Sequence, residues 1–416
     1  KIIMLIIYRF LINIVFIISP LIFFIRLLKK KEDIKRFKEK YCIFSKKRKK
    51  GKLLWFHGAS VGELQSIIPL LEKLEKNNKV SQVLITSNTL SSSKVISNYK
   101  FNKVIHQFFP IDQNFISLSF INYWKPTAAF FIDSEVWPNM ITNLKKKNIP
   151  IILLNGRITK RTFKKWLLFK NFSKTIFGKF TLCLSSSKLS KNYLKQLGVK
   201  RIKFFGNLKF SQSENEKIYL KKELKNFISD KKIWCASSTH NTEEKFCGVV
   251  HQKLKIKYKN LITIIIPRHI DRINDIREQL ERMDLKVHVH KPENKIKNKI
   301  DIYLVNSYGT TKSFYSICKN VFLGGSLIGH GGQNPLEAVR YGCNILHGPN
   351  ISNFKEIYDF LKTNNISQKI TNEKKMMNFL IKLFSKKSET KKIQNKLNSI
   401  GQKILDSTYK EVKLIL

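Results

Sequence analysis

The sequence predicts an α/β protein with two Rossmann-like, doubly wound domains that face a cleft, behind an N-terminal apolar helix. Short apolar runs alternate with helical stretches from residue 52 onwards, which is typical of parallel sheets covered on both faces. The chain has 416 residues, more than one hydrophobic core usually supports, so two domains are expected. Residues 2–28 differ from the rest because they are nearly all apolar.

The apolar segment 2–28 is long enough to cross a hydrocarbon core of about 30 Å, and it predicts a membrane anchor. A basic segment, 29–51, follows it, and the positive-inside rule then places the remaining chain in the cytoplasm. Arg9 and Pro20 leave open a helix that lies in the membrane interface instead of spanning it. A cleaved signal peptide is the other alternative.

Apolar runs that end in polar or small residues define the two domains, 52–209 and 227–385. Between them lies a polar linker, 210–226, and a helical segment, 386–416, ends the chain. The predicted strands lie in KLLWFHGAS, VSQVLITSN, AAFFIDSE, IPIILLNGR and FTLCLSSS, then in KIWCASSTH, LITIIIPRH, KVHVHK, IYLVNSYG, NVFLGGS and CNILHGP. Ligands of such sheets bind beyond the carboxyl ends of the strands.

The net charge of +49 makes anionic partners attractive, among them an acidic membrane surface or a phosphorylated substrate. A compositional bias towards lysine is an equally good explanation, because the lysines are spread over the whole chain. Basic stripes with interleaved aromatic residues, as in nucleic-acid-binding proteins, do not stand out. The six cysteines lack the spacing of a zinc site or a disulfide framework, so we expect no metal.

The stretch GGSLIGHGGQNPLEA holds five glycines and follows the strand NVFL. Small residues such as Gly325 and Ser326 let a ligand approach the backbone, and a phosphate fits such a loop. A helix is predicted to follow, with Asn334 as N-cap, Pro335 in the first position and Glu337 in the third. Alternatively, the glycines only form a tight loop and Glu337 only closes a capping box, or Glu337 accepts hydrogen bonds from a ribose.

Two other strand ends of the second domain carry polar residues. Arg268, in IIIPRH, has the geometry to bind phosphate oxygens with both ends of its guanidinium, or it is an ordinary surface arginine. In SSTHNTEE, Asn241 and Glu244 have the spacing of a capping box, which leaves little support for a ligand role there.

Carboxylates follow two strands of the first domain. Glu63, in HGASVGE, is predicted in the first turn of a helix, as a proton acceptor or as the partner of Ser60 in a capping box. A base in that position needs desolvation, because the helix dipole lowers its basicity. Asp133 and Glu135 follow the strand AAFFI, and Lys209 lies at the domain junction.

Seven motifs in fixed order, HGASVGE, IDSEVWPN, NGRI, GNLKF, SSTH, PRH and GGSLIGHGGQNPLEA, together resemble those of the bacterial Kdo transferases. That family transfers 3-deoxy-D-manno-octulosonic acid (Kdo) to a lipid A precursor in lipopolysaccharide biosynthesis. The resemblance implies the two-domain GT-B glycosyltransferase architecture, CMP-Kdo as donor, inversion at the anomeric carbon and no metal or other cofactor. It also implies the cytoplasmic side of the inner membrane and no nucleic-acid partner.

The resemblance implies roles for individual residues. Glu63 matches the catalytic base, and Lys209 matches a lysine that stabilises the transition state. The family usually has two glutamates in the motif that reads IDSE here, so both Asp133 and Glu135 are candidates for the second acidic role. The matching CMP-binding positions, together with the glycine stretch, are Pro267, Arg268, Tyr308, Gly309, Thr310, Gly325, Ser326, Asn334, Pro335, Leu336 and Glu337.

Two other classes of function stay open at this point. One is a GT-B transferase that uses a different nucleotide sugar on a membrane lipid acceptor. The other is a membrane-tethered protein that binds polyanions without catalysis, but it leaves the carboxylates at the strand ends unexplained.

Overall fold

The computed structural model describes residues 3–212, 222–290, 296, 299–386 and 389–416. The chain divides into two compact units, the first made of residues 1–212 and 400–416 and the second of residues 213–399. Of the predicted linker, residues 213–221 lie outside the described residues.

The first unit contains a sheet of seven parallel strands in the order β3-β2-β1-β4-β5-β6-β7. The strands are β1 (Leu53–His57), β2 (Gln82–Ser87), β3 (Val104–Phe108), β4 (Ala128–Ile132), β5 (Ile151–Gly156), β6 (Leu182–Ser185) and β7 (Ile202–Phe204). The helices are α1 (Ile3–Leu28), α2 (Val61–Glu75), α3 (Leu90–Ser97), α4 (Asn114–Trp124), α5 (Pro138–Lys146), α6 (Lys160–Leu167), α7 (Lys170–Phe177) and α8 (Lys188–Leu197). Short 3₁₀ helices cover Phe37–Tyr41 and Leu208–Ser211.

The central strands of this sheet are apolar because helices cover both of its faces. All five residues of β1 and of β4 are buried, as expected for inner strands of a parallel sheet. Trp55, Trp124 and Phe131 are among the largest fully buried side chains of the core. The apolar runs of the sequence thus mark the strands that the helices enclose.

The second unit repeats this plan with a sheet in the order β10-β11-β9-β8-β12-β13-β14. The strands are β8 (Lys232–Thr239), β9 (Leu261–Pro267), β10 (Val287–His290), β11 (Ile302–Val305), β12 (Asn320–Leu323), β13 (Asn344–His347) and β14 (Ser367–Lys369). The helices are α9 (Lys222–Ile228), α10 (Glu243–Lys255), α11 (Ile273–Glu281), α12 (Thr311–Tyr315), α13 (Leu336–Arg340), α14 (Lys355–Thr363), α15 (Glu373–Ser385) and α16 (Thr390–Lys413). Residues from 400 onwards in α16 belong to the first unit.

Every predicted strand is present, and three further strands, β3, β7 and β14, were not predicted. All three lie at the edge of a sheet, where fewer neighbours cover them. β7 and β14 are only three residues long and partly exposed, and β3 contains the polar residues His106 and Gln107. Their sequences therefore lack the continuous apolar run of an inner strand.

The predicted fold class is confirmed: two Rossmann-like units with parallel sheets, and an apolar N-terminal helix. Among the described residues, α1 alone is long and apolar enough to cross a membrane. The cleft between the two units stays a prediction.

Candidate active site

The chain order of the first sheet changes direction between β1 and β4, which lie side by side in its centre. A crevice forms beyond the carboxyl ends of strands at such a point. Glu63 lies in the helix that follows β1, and Asp133 and Glu135 lie in the loop that follows β4. The fold therefore brings the three predicted carboxylates to one edge of the first sheet.

Glu63 lies in the first turn of α2 and closes the capping box that its spacing with Ser60 predicted. Its carboxylate accepts hydrogen bonds from the Ala59 N–H at 2.7 Å and the Ser60 hydroxyl at 2.8 Å. Burial nevertheless raises the pKa of Glu63, and the charge of Glu135 adds to the rise, whereas the two hydrogen bonds oppose it. The desolvation that a base needs at this helix end is present.

Two ring nitrogens lie within hydrogen-bond distance of the Glu135 carboxylate. Its Oε2 lies 3.1 Å from His57 Nε2 and 2.9 Å from Trp137 Nε1, and Nδ1 of the imidazole lies 3.0 Å from Thr86 Oγ1. Burial alone would raise the pKa of Glu135, but His57 and Trp137 outweigh it and the pKa lies below its ordinary value. Glu135 is therefore ionised whenever the protein is folded near neutral pH.

Asp133 is a buried carboxylate in a left-handed backbone conformation, with φ of 61°. Its Oδ2 lies 3.9 Å from Lys209 Nζ, which the 3₁₀ helix after β7 positions. Burial raises the pKa of Asp133 to about 6, with Lys209 and Arg157 opposing the rise and Glu63 and Glu135 adding to it. All four predicted catalytic residues thus interact within the first unit.

Three contributors to this site were not predicted: His57, Trp137 and Arg157. His57 and Arg157 belong to the motifs HGAS and NGRI, and each comes directly at or after the end of a strand. Their position after strands is the signal in the sequence that could have identified both. Trp137 was interpreted as a packing residue; it packs against the core and also donates its indole N–H to Glu135.

In the second unit, the predicted nucleotide-binding motifs follow the carboxyl ends of four adjacent strands, β11, β9, β8 and β12. Pro267 ends β9, and the exposed Arg268 follows it. The backbone N–H of Arg268 donates to the carbonyl of Thr239. The turn at Tyr308, Gly309 and Thr310 follows β11, and Tyr308 is exposed.

A buried carboxylate, Glu243 in the first turn of α10, organises the glycine loop that follows β12. It accepts backbone N–H groups of Gly325 at 2.7 Å, Ser326 at 3.1 Å and Leu327 at 3.0 Å, and of His240 at 3.0 Å. The N–H groups of Gly325 and Ser326 are therefore occupied within the chain. The Ser326 hydroxyl also has a partner within the chain, since it donates to the carbonyl of Leu323.

The packing of the loop explains its first two glycines. A Cβ at Gly324 would lie 2.4 Å from the carbonyl oxygen of Ser238 and 2.7 Å from Glu243, so no side chain fits there. Gly325 has φ of 64°, a conformation that glycine adopts without strain. The alternative in which these glycines form a tight loop accounts for both positions.

The helix α13 begins at Leu336, one residue later than predicted, with Pro335 in the cap position. The Asn334 side chain nevertheless accepts the Leu336 N–H, as a capping side chain does. Glu337 lies in its first turn.

The predicted capping box of Asn241 and Glu244 does not form. Glu243 takes the role that was assigned to Glu244, because the Glu243 carboxylate accepts the His240 N–H. The helix α10 begins at Glu243. Glu244 is buried and pairs instead with Arg272 at 3.1 Å.

We expect Glu243→Gln to lower the free energy of unfolding by about 2–4 kcal/mol, because an amide donor would face backbone N–H groups that lose their acceptor. Denaturant titration measures this loss. Glu281→Gln, at an exposed position of α11, is the matched control and should change stability by less than about 0.5 kcal/mol. Equal stability of wild type and Glu243→Gln would contradict the role assigned to this carboxylate.

No group of three or more His, Cys, Asp and Glu side chains that could hold a metal ion occurs in the part of the chain that the structure describes.

This chain is similar to known proteins in both sequence and fold. The family described as 3-deoxy-D-manno-octulosonic-acid transferase (kdotransferase) matches residues 35–212. The 3-deoxy-D-manno-octulosonic acid transferase of Rickettsia bellii is 31% identical over 403 residues, which cover 94% of this chain and 95% of the relative. Among solved structures, UDP-GlcNAc 2-epimerase from Neisseria meningitidis has a TM-score of 0.59 at 13% identity, covering 86% of this chain and 100% of that one. A glycosyltransferase from Rickettsia africae has a TM-score of 0.57 at 11% identity, covering 88% and 99%.

Two Rossmann-like units with parallel sheets have the architecture of the GT-B fold, which this chain shares with the epimerase and the glycosyltransferase. The sequence similarity is more specific, and the chain belongs to the 3-deoxy-D-manno-octulosonic acid transferase family. It is therefore an enzyme, and the non-enzymatic polyanion binder is excluded.

Proposed function

We propose that this enzyme transfers Kdo from CMP-Kdo to a lipid A precursor, with inversion at the anomeric carbon and without a metal ion. The observation that carries the proposal is the set of carboxylates Glu63, Asp133 and Glu135 at the switch point of the first sheet, with Lys209 beside Asp133. A site of this kind supplies a general base and fixed charges for a sugar transfer that passes through no covalent intermediate.

Glu63 is the general base of the proposed reaction. Its carboxylate removes the proton from a hydroxyl of the acceptor while that oxygen attacks the anomeric carbon of Kdo, and the bond from that carbon to the CMP phosphate breaks. The ionised Glu135 supports this role, because its charge helps to raise the pKa of Glu63. His57 and Trp137 position Glu135 and keep it ionised.

Asp133 and Lys209 form the second charged pair of the proposed site. A lysine ammonium stabilises negative charge that develops on the departing or attacking oxygen. Asp133 orients that ammonium from 3.9 Å, and we assign it the second acidic role, with Glu135 acting on Glu63.

The second unit binds the cytidylate in this proposal. Because Glu243 occupies the N–H groups of Gly325 and Ser326, those two residues shape the loop and the exposed guanidinium of Arg268 receives the phosphate. Glu337, in the first turn of α13, accepts hydrogen bonds from the ribose. Pro267, Tyr308, Gly309, Thr310, Asn334, Pro335 and Leu336 complete the proposed CMP site.

The apolar helix and the basic chain support the proposed acceptor and location. A phosphorylated lipid acceptor lies in an anionic leaflet, and each lysine near such a surface contributes about 1 kcal/mol of attraction. We propose the cytoplasmic face of the inner membrane as the place of the reaction.

The test is product analysis with the purified full chain, CMP-Kdo and a lipid A precursor. We expect the lipid to gain the mass of one or more Kdo units, with the anomeric configuration opposite to that of the donor and at a rate that a chelator leaves unchanged. Retained configuration, or loss of activity in chelator that a metal restores, would contradict the proposed mechanism.

A GT-B transferase with another nucleotide sugar is the second candidate, since the epimerase of similar fold is described as bound to UDP-GlcNAc. Equilibrium binding of CMP, UMP and UDP to the full chain separates the two. Tighter binding of UDP than of CMP would favour this candidate.

A further inference from the structure

One side of α1 is docked on the first unit along the whole length of the helix. Near its start, Met4, Leu5 and Tyr8 pack against the core of that unit. In the middle, Phe16 and Phe23 contact the ring of Tyr41. A helix that stood free in a bilayer would not have one side in contact with a folded domain from its first turn to its last.

The polar residues of α1 all point to partners in the first unit. The Tyr8 hydroxyl donates to Asp112 at 2.7 Å. Arg9 donates to the side chains of Asn139 at 3.0 Å and Asn114 at 2.8 Å. These contacts supply hydrogen-bond partners to the groups that are least compatible with an apolar segment.

The end of α1 is fixed by a buried ion-pair cluster. Arg26 lies 2.6 Å from Glu32, and the buried Lys40 donates to both oxygens of the same carboxylate at 2.8 Å. The three lysines that follow the helix, at 29–31, are exposed.

The other side of α1 is an exposed apolar face, defined here by Ile3, Phe10, Ile17 and Phe24. These residues recur every seven positions and are 70%, 64%, 76% and 59% exposed. Ten further large apolar side chains of the helix are also exposed: Ile6, Ile7, Leu11, Ile14, Val15, Ile18, Leu21, Ile22, Ile25 and Leu28.

These two faces decide between the orientations that the sequence left open. From Arg9 to Arg26 the helix rises about 26 Å, close to the thickness of the hydrocarbon core. If α1 spanned the bilayer, the polar surface to which it is docked would pass through the hydrocarbon with it, and unpaired polar groups of a folded domain are not tolerated there.

We propose that α1 lies in the plane of the membrane, with its apolar face inserted into a single leaflet and its docked face held by the first unit. The exposed lysines after the helix match an anionic headgroup region at the same depth. This orientation does not depend on which sugar or acceptor the enzyme uses.

The in-plane helix also joins the membrane surface to the edge of the sheet that carries the carboxylates. Asp112 and Asn114 follow β3, and Asn139 follows β4 by way of Trp137, whose indole binds Glu135. Arg9 and Tyr8 therefore hold the helix at the carboxyl ends of these strands, where a lipid headgroup would have to arrive.

Spin-label depth measurement tests the orientation. Cysteines replace Ile3, Phe10, Ile17 or Phe24, one at a time, in the full chain bound to vesicles of phosphatidylethanolamine and phosphatidylglycerol, and each carries a nitroxide. In-plane insertion predicts that the ratio of oxygen to nickel-chelate accessibility agrees within about twofold at all four positions, because they share one depth. A ratio that peaks at Phe10→Cys and Ile17→Cys and falls at both ends would establish a spanning helix and overturn the proposal.

Labelling from one side of sealed vesicles gives an independent reading. Lys1→Cys and Lys30→Cys, one before and one after α1 in the sequence, should both react with a membrane-impermeant maleimide added outside to protein-bearing vesicles. Reaction of only one of them before detergent is added would place the ends of α1 on opposite sides and overturn the proposal. The chain without these substitutions measures the background from its native cysteines, five of which are buried.

Discussion

Glu63→Gln is expected to lower kcat by about 10²–10⁴, the usual contribution of a general base, with little change in the free energy of unfolding. The glutamine oxygen still accepts the Ala59 N–H, and the amide N–H group has the Ser60 hydroxyl oxygen as acceptor, so the substitution removes the proton acceptor and retains the helix cap. Steady-state kinetics with CMP-Kdo and denaturant unfolding of the same preparation measure the two quantities.

The pH dependence separates a base from a charged neighbour. Because burial raises the pKa of Glu63, the wild-type rate should fall as the pH drops through that raised value, and this limb should be absent from the residual activity of Glu63→Gln. Glu72→Gln, at an exposed position of the same helix, is the matched control and should retain wild-type kcat. Wild-type turnover by Glu63→Gln would show that Glu63 only caps the helix and is not the general base.

Asp133→Asn is expected to reduce activity by about tenfold to a hundredfold and to stabilise the fold at the same time. The amide lacks the charge that orients Lys209, and the reduced activity corresponds to an activation barrier that is higher by about 1.4–2.7 kcal/mol. Asparagine accepts a φ of 61° nearly as well as any non-glycine residue, so the backbone should not change.

The direction of the stability change follows from proton linkage. In the folded protein the pKa of Asp133 is raised from 3.8 to about 6, so the native state binds a proton more tightly than the unfolded state, and ionisation destabilises the fold. Stability is therefore lost as the pH rises from about 4 through about 6. Asp133→Asn should remove this loss, with a gain of about 1–3 kcal/mol at pH 7 that vanishes near pH 4.

Asp284→Asn is the matched control for this substitution. Asp284 also has a left-handed backbone, with φ of 58°, but its side chain is exposed in the second unit. We expect neither stability nor activity to change by a measurable factor. A destabilised Asp133→Asn would mean that the ion pair with Lys209 outweighs burial, which would reverse the sign of the linkage.

Much of the fold was predictable because an inner strand of a parallel sheet must be apolar on both faces. The runs around Trp55 and Phe131 satisfy this rule and appear where expected, as β1 and β4. The edge strands, which are covered on fewer sides, carry polar residues such as His106 and escaped prediction.

The carboxylates were predicted from their position after strands, but their hydrogen-bond partners and ionisation could not be predicted. Glu135 depends on His57, 78 residues earlier in the chain, and Glu243 binds the glycine loop 82 residues later. Local pattern contains no information about such pairs, because the order of strands in the sheet decides which strand ends become neighbours.

The two α/β units, the apolar helix α1 and the residues that follow each strand were predictable from the amino-acid order, since all of these depend on apolar periodicity and on local turn and cap chemistry. The folded chain was needed to learn which carboxylate stays ionised, which holds the glycine loop and which side of α1 is covered. Those properties depend on burial and on partners distant in the chain, and a pKa or a hydrogen bond is set by the groups that the fold brings within a few ångströms.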